Sequence, residues 1–120
     1  MMKLLNNLPE HVVGVSASGQ IDAKDYETVL IPAIVAALQK HKRIRVLYQL
    51  TPDFEGFTSG AMWDDAKLGL AHLKAWERIA VVTDVHWVAN ATRMFAFLLP
   101  GLVKVFSNEE QSYAEKWIAA

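Results

Sequence analysis

Two short runs restrict what this chain can become more than anything else in it. In Arg43 to Leu50 the residues Ile44, Val46, Leu47 and Leu50, and in Arg78 to Thr83 the residues Ile79, Ala80, Val81 and Val82, are apolar too continuously for strands with one wet face. Such strands belong in a sheet covered on both sides, so the segments around them must supply helices for both faces.

Those segments have the right periods. Residues 3 to 8 predict a short edge strand closed by Pro9. Val12, Val13 and Val15 open a second strand reaching Gln20, and Pro9-Glu10 between them suggests a hairpin. Asp22 is the expected N-cap of a first helix running to about His41, with Tyr26, Val29, Leu30, Ala33, Ala37 and Leu38 at helical spacing. Pro32 lies inside it and should kink it. The basic run Lys40, His41, Lys42, Arg43 and Arg45 would answer the negative end of that helix. After the third strand, residues 51 to 57 read as a loop. Ser59 is the expected cap of a second helix from Gly60 to about Leu73, and Asp84 that of a third from His86 to Leu99, stopped by Pro100-Gly101. Val103 to Phe106 is a fifth strand, and Ser107 or Asn108 caps a last helix carrying Ala114, Trp117 and Ile118. Strand, strand, helix, then three repeats of strand and helix, predicts one α/β domain over residues 1–120 with a mostly parallel sheet of five strands flanked by four helices.

Charge and cysteine content then narrow the function. A formal net charge of −1 lacks the cationic excess that phosphate-backbone binding needs, so no nucleic-acid partner is expected. With no cysteine there is no thiolate metal site, iron–sulfur cluster or Cys nucleophile, and no cofactor is expected. Met1 to Asn7 shows no signal-peptide pattern and no window is apolar enough to span a bilayer. The expected location is cytoplasmic, with any membrane role peripheral.

The helical wheel, at roughly 100° per residue, places His86, Asn90 and Arg93 of the third helix in a polar stripe, and Phe97 with them. Val88, Ala91, Phe95 and Leu98 fall opposite, as the predicted sheet contacts, and Trp87 and Met94 flank the two faces. In the second helix Met62, Ala66, Gly69 and Leu73 share the predicted core face, Trp63 and Leu70 edge it beside Lys67 and Lys74, and Leu68 falls on the polar side. Burying a Phe or Trp side chain is worth about 1.5–3 kcal/mol, so this surplus calls for a partner. The expected binding surface is Trp63, Leu70, Asp84, Trp87, Met94 and Phe97.

Catalysis is not expected. Asp84 and His86 after the fourth strand, and Thr58 and Ser59 after the third, occupy the sheet edge where α/β proteins bind ligands, but no nucleophile elbow, phosphate loop or His-x-x-x-His accompanies them. Asp65 and His72 lie two helical turns, about 10 Å, apart and do not chelate a metal, so with Asp64 they read as a solvated face.

Several features then combine: Asp22 opening a helix with Pro32, Gly56-Phe57 before Trp63, the segment Arg78 to Asp84 with Trp87, and Val105-Phe106 followed by Glu109, Ala114 and Trp117. Over nearly the whole chain this order resembles the SpoIIAA-like family, which groups with STAS domains and is compared with the lipid-binding Sec14, or CRAL-TRIO, fold. The resemblance implies a sandwich with strand order 1-3-2-4-5, the first strand antiparallel. For small bacterial members it implies binding of apolar ligands or membrane association through mobile amphipathic helices. Anti-anti-sigma factors of this fold carry an Asp-Ser-Ser/Thr-Gly phosphorylation motif after the third strand, where this chain has Phe57-Thr58-Ser59-Gly60 without the acidic residue.

The leading expectation is a non-enzymatic domain that binds a small apolar, amphipathic or lipid-like ligand between the second and third helices and the sheet, with membrane contact through the same helices. Partner switching by phosphorylation at Thr58 or Ser59, and a homodimer closed over the same patch, are the alternatives.

Overall fold

In the computed structural model residues 1–98 and 102–120 are described, with the backbone alone at Leu98. Two faces of one sheet are covered, as the continuous apolar runs require. The strands are β1 (Met2–Leu4), β2 (Val12–Ile21), β3 (Ile44–Phe57), β4 (Trp76–Val82) and β5 (Leu102–Phe106). Helix α1 has three consecutive segments, Ala23–Asp25, a π-helical Tyr26–Leu30 and Ile31–Lys40. It is followed by α2 (Ser59–Ala71), α3 (His86–Phe95, extended by a 3-10 turn at Ala96–Leu98) and α4 (Gln111–Ala119).

Strand order is β1-β2-β3-β4-β5, with β1 antiparallel to β2 and the other neighbours parallel. This corrects the order 1-3-2-4-5. The Pro9-Glu10 connection closes tightly, with Val12 N–H donating to Pro9 C=O at 3.0 Å and Leu5 N–H to Gly14 C=O at 2.8 Å. That hairpin puts β1 on one side of β2 and leaves β3 the other. Side chains alternate along the central strand, as a pleat demands. Val46, Tyr48 and Leu50 join Tyr26, Ile34, Ala61 and Val88 under α1, α2 and α3, whereas Leu47 joins Ala80, Val82, Ala114 and Ile118 under α4.

Residues 51–57 are strand, not loop. Past Leu50, β3 loses β4 and continues with β2 alone, pairing Phe54 with Gly19 and Phe57 with Ile21 across register shifts on either side of Gly19. Gly19, at φ +61°, takes a conformation other residues resist. Pro52 falls in the gap in pairing, where its missing N–H costs nothing. The resulting ribbon carries Phe54 and Phe57 beyond the main sheet.

Helix termini follow local chemistry with three corrections. Asp22 caps α1 as expected, and the structure adds a reciprocal bond to the Asp25 carboxylate that completes a capping box, both bonds at 3.0 Å. Pro32 is separated by Ile31 alone from the π-helical segment, whose last bond runs from Ile31 N–H to Tyr26 C=O, so the widened turn accommodates the ring. Thr58, not Ser59, caps α2. It leaves the strand with extended dihedrals and its Oγ1 accepts from Ala61 N–H at 3.2 Å, while Ser59 is already helical. Asp84 does not cap α3 either. Val85 holds the cap position and donates its N–H to Thr83 Oγ1 at 2.9 Å. The expected run of that helix to Leu99 and its stop at Pro100-Gly101 lie outside the described residues. Arg45, read as serving the end of the first helix, instead donates to Ile118 C=O at 2.9 Å, as Arg78 does to Trp117 C=O at 2.7 Å. The two cations satisfy the last turn of α4.

Candidate functional site

Strands β2 to β5 all end at one edge, and α2 and α3 start from it. Both helices carry apolar residues that the core does not take. Of the thirteen residues of α2 only Ala61 and Asp64 are buried, with Leu68 partly packed on the core. The predicted core face Met62, Ala66, Gly69 and Leu73 is therefore wrong, and Met62 is 52% exposed. Two contacts set the actual rotation: α2 begins so close to α1 that a Cβ on Gly60 would stand 3.2 Å from that of Ala23, and Asp65 turns toward Tyr26. In α3 the buried pair is Val88 and Ala89. Phe95, a predicted sheet contact, is 58% exposed, and that of Leu98 lies outside the described residues.

Phe97 is 93% exposed, as its place on the wheel predicts, and Trp63, Leu70 and Met94 are also largely exposed. Trp87 is half exposed. Its inner side meets Phe57 edge-to-face at 6.0 Å between centroids, and Phe57 contacts Phe54 at 4.8 Å and Tyr48 at 6.4 Å. Of the predicted binding residues, then, Trp87 alone is tied into an aromatic floor, through the ribbon that the sequence reading took for a loop. Asp84 is occupied elsewhere: Oδ1 accepts from Asn108 N–H at 3.1 Å and Oδ2 from Asn108 Nδ2 at 3.2 Å, joining the β4 exit to the 3-10 turn (Asn108–Glu110) that leads into α4.

The charges around this surface sort by sign. Asp64 is buried, with Lys67 Nζ 3.5 Å from its Oδ1, and the same ammonium stands 5.9 Å from the centre of the Trp63 ring. Asp65 is exposed as a residue but faces inward at its carboxylate. Lys67, Lys74 and Arg93 remain exposed.

Beneath α2 lies a polar cluster that the sequence reading missed. Tyr26 Oη donates to Asp65 Oδ1 at 2.9 Å and stands 3.0 Å from Tyr48 Oη. Because the single hydroxyl hydrogen of Tyr26 goes to the carboxylate, Tyr48 donates to Tyr26, and the chain runs Tyr48 to Tyr26 to Asp65. Burial raises both tyrosines far above the ordinary phenol value, and the Asp65 charge raises Tyr26 further. Burial around the Asp65 carboxylate raises it too, against the Tyr26 hydrogen bond, which lowers it. No sequence spacing links residues 26, 48 and 65, which come from α1, β3 and α2.

Thr58 Oγ1 is engaged as the α2 cap, and Ser59 beside it is exposed. An open groove of about 520 Å³ lies apart from this edge, between β1 and α1, lined by Met2, Leu4, Val29 and Pro32 among others. Among the described residues no helix is long and apolar enough to cross a membrane.

The chain matches the SpoIIAA-like family model over residues 12–119. It is also similar to a solved structure from Shewanella loihica PV-4, an uncharacterized protein of the DUF3478 family with a SpoIIAA-like fold. The identity is 28%, the match covers 98% of this chain and 93% of that one, and the TM-score is 0.78. No curated protein matches.

Proposed function

The chain belongs to the SpoIIAA-like family, and from that premise we propose that it is a non-enzymatic cytoplasmic domain whose α2–α3 face takes an amphipathic or lipid-like ligand at a membrane surface. One observation carries the reading: Trp63, Leu70, Met94 and Phe97 stand largely exposed on two helices of the same sheet edge, where the core makes no use of them. Transfer of a fully exposed Phe side chain out of water is worth about 1.5–3 kcal/mol. The exposed cations Lys67, Lys74 and Arg93 suit an anionic headgroup layer, at roughly 1 kcal/mol for each basic residue close to it. An interfacial helix pair, apolar below and basic at its flank, therefore fits better than an enclosed cavity. The likeness to the Sec14, or CRAL-TRIO, fold supports this only as a resemblance.

Co-sedimentation with phosphatidylcholine vesicles, with and without phosphatidylglycerol, tests the reading. The wild type is expected to pellet with the anionic vesicles and Phe97→Asp to bind them at least tenfold more weakly; equal, negligible binding by both proteins would remove the membrane role. Native mass spectrometry after gentle purification tests for a retained amphipath. Sedimentation velocity at several concentrations separates both from a homodimer closed over the same face.

Ser59 favours a second reading. It is exposed in the first turn of α2, where a phosphate would meet unpaired backbone N–H groups. Kinase-regulated partner switching predicts phosphate at Ser59 after incubation with a candidate kinase, and its absence from both Thr58 and Ser59 in the mass spectrum counts against it.

A further inference from the structure

Helix α2 is held in place by little besides polar contacts. Its apolar side chains face mostly outward, Ala61 and Leu68 being the exceptions, and it leans on the start of α1 more than on the sheet. Three hydrogen-bonded points fix it: Thr58 N–H donating to Ile21 C=O at 2.9 Å at its N-cap, Trp76 Nε1 donating to Gly69 C=O at 3.0 Å near its end, and the Tyr48–Tyr26–Asp65 chain at its middle. One group works against docking. Lys67 approaches Asp64 only at Oδ1, at 3.5 Å, and Oδ2 is buried with no hydrogen-bond partner among the described residues, so the docked helix keeps one carboxylate oxygen out of water without a donor. Undocking would restore its hydration.

We propose that Asp65 is the latch of α2: its bond to the Tyr26–Tyr48 pair holds the helix in place, and breaking that bond releases α2 as a unit and uncovers the apolar floor around Tyr48 and Phe57. The opposed placements of neighbouring carboxylates carry the argument, since one of them stabilises the docked helix and the other destabilises it. Two arrangements close in free energy are the requirement for a movable element. The functional side of the proposal rests on the reading of α2 and α3 as the binding face, because release would add the floor under Trp87 to the surface offered to an amphipath.

The chain has no cysteine, so a single introduced thiol reports opening without background. Ala61→Cys places one on the buried side of α2, and Ala114→Cys places a control in the core on the opposite sheet face; both positions are fully buried. Adding Asp65→Leu is expected to raise the rate of thiol labelling at position 61 about tenfold or more, the loss expected for a hydrogen bond to a charged acceptor, with labelling at 114 unchanged. Asp65→Asn keeps an acceptor and is expected to stay within about threefold of the parent. Unchanged labelling at 61, or an equal rise at both positions, overturns the latch. Amide hydrogen exchange of α2 in the cysteine-free protein gives the same reading if a thiol at 61 disturbs packing. Vesicle binding by the cysteine-free Asp65→Leu protein keeps the two ideas apart. Faster opening without vesicle binding leaves the latch standing and removes the membrane role, and vesicle binding with unchanged opening does the reverse.

Discussion

Replacing Tyr26 with Phe isolates the polar chain beneath α2. Tyr26 is 1% exposed and Phe fills the same volume, so the change removes a hydroxyl without opening a cavity of consequence. That hydroxyl donates to Asp65 at 2.9 Å and accepts from Tyr48 at 3.0 Å. A hydrogen bond to a charged group contributes about 1.5–3 kcal/mol, and a buried hydroxyl left without a partner costs about 1–3 kcal/mol. Water relieves neither loss easily, since the Asp65 carboxylate faces inward and Tyr48 is 8% exposed. The expected loss is therefore about 2–4 kcal/mol. Tyr48→Phe removes only the terminal donor and leaves the Tyr26–Asp65 bond in place, so it should cost about 0.5–1.5 kcal/mol. Urea unfolding followed by tryptophan fluorescence measures both, with the midpoint falling and the slope unchanged. The double variant should lose less than the sum, since both changes break the same bond. A Tyr26→Phe protein within 0.5 kcal/mol of wild type, or a Tyr48→Phe loss equal to it, would refute the directed chain.

Acid sensitivity follows from Glu77, which the Arg45 hydrogen bond, at 2.6 Å, and its charge hold below the ordinary carboxylate value. A depressed folded value means stability that is present above the unfolded value of 4.5 and lost as pH falls through the folded one. Glu77→Gln should thus be less stable than wild type at pH 7, and the difference should shrink below pH 4.5 in parallel urea titrations. Asp22→Ala removes half of a capping box and should lower the thermal midpoint; an unchanged midpoint would show that the cap bonds contribute nothing net. Phe97→Asp, at a 93% exposed position, should stay within about 0.5 kcal/mol of wild type in the same unfolding assay. A vesicle-binding defect in that variant would then report on the surface, not on folding.

Much of the fold was legible because its signals are local. A run such as Ile79 to Val82 announces a strand covered on both faces, and Asp22 ahead of apolar residues at helical spacing announces a helix start. The misreadings share one cause. Residues 51–57 contain Pro52 and Gly56, which mark a turn in any local reading, and they form strand only because Gly19–Ile21 lies alongside. Asp84 has the chemistry of an N-cap but finds both donors of Asn108 across the sheet edge. Phe97 was found by its wheel position because its surroundings are solvent, which needs no partner to be identified.

The amino-acid sequence by itself determined the order of elements, the coverage of both sheet faces, the absence of thiol chemistry and the surplus of apolar residues on two helices. Each of these depends on side-chain type and on repeats of about 2 or 3.6 residues along the chain. Tertiary structure decided the strand order, the rotation of α2 and the meeting of Tyr26, Tyr48 and Asp65. A helix with apolar residues around most of its circumference has no single preferred core face, so the contact between Gly60 and α1 and the reach of one carboxylate to a buried phenol select it. That selection turned Asp64 and Asp65 inward and left Trp63 and Leu70 to the solvent.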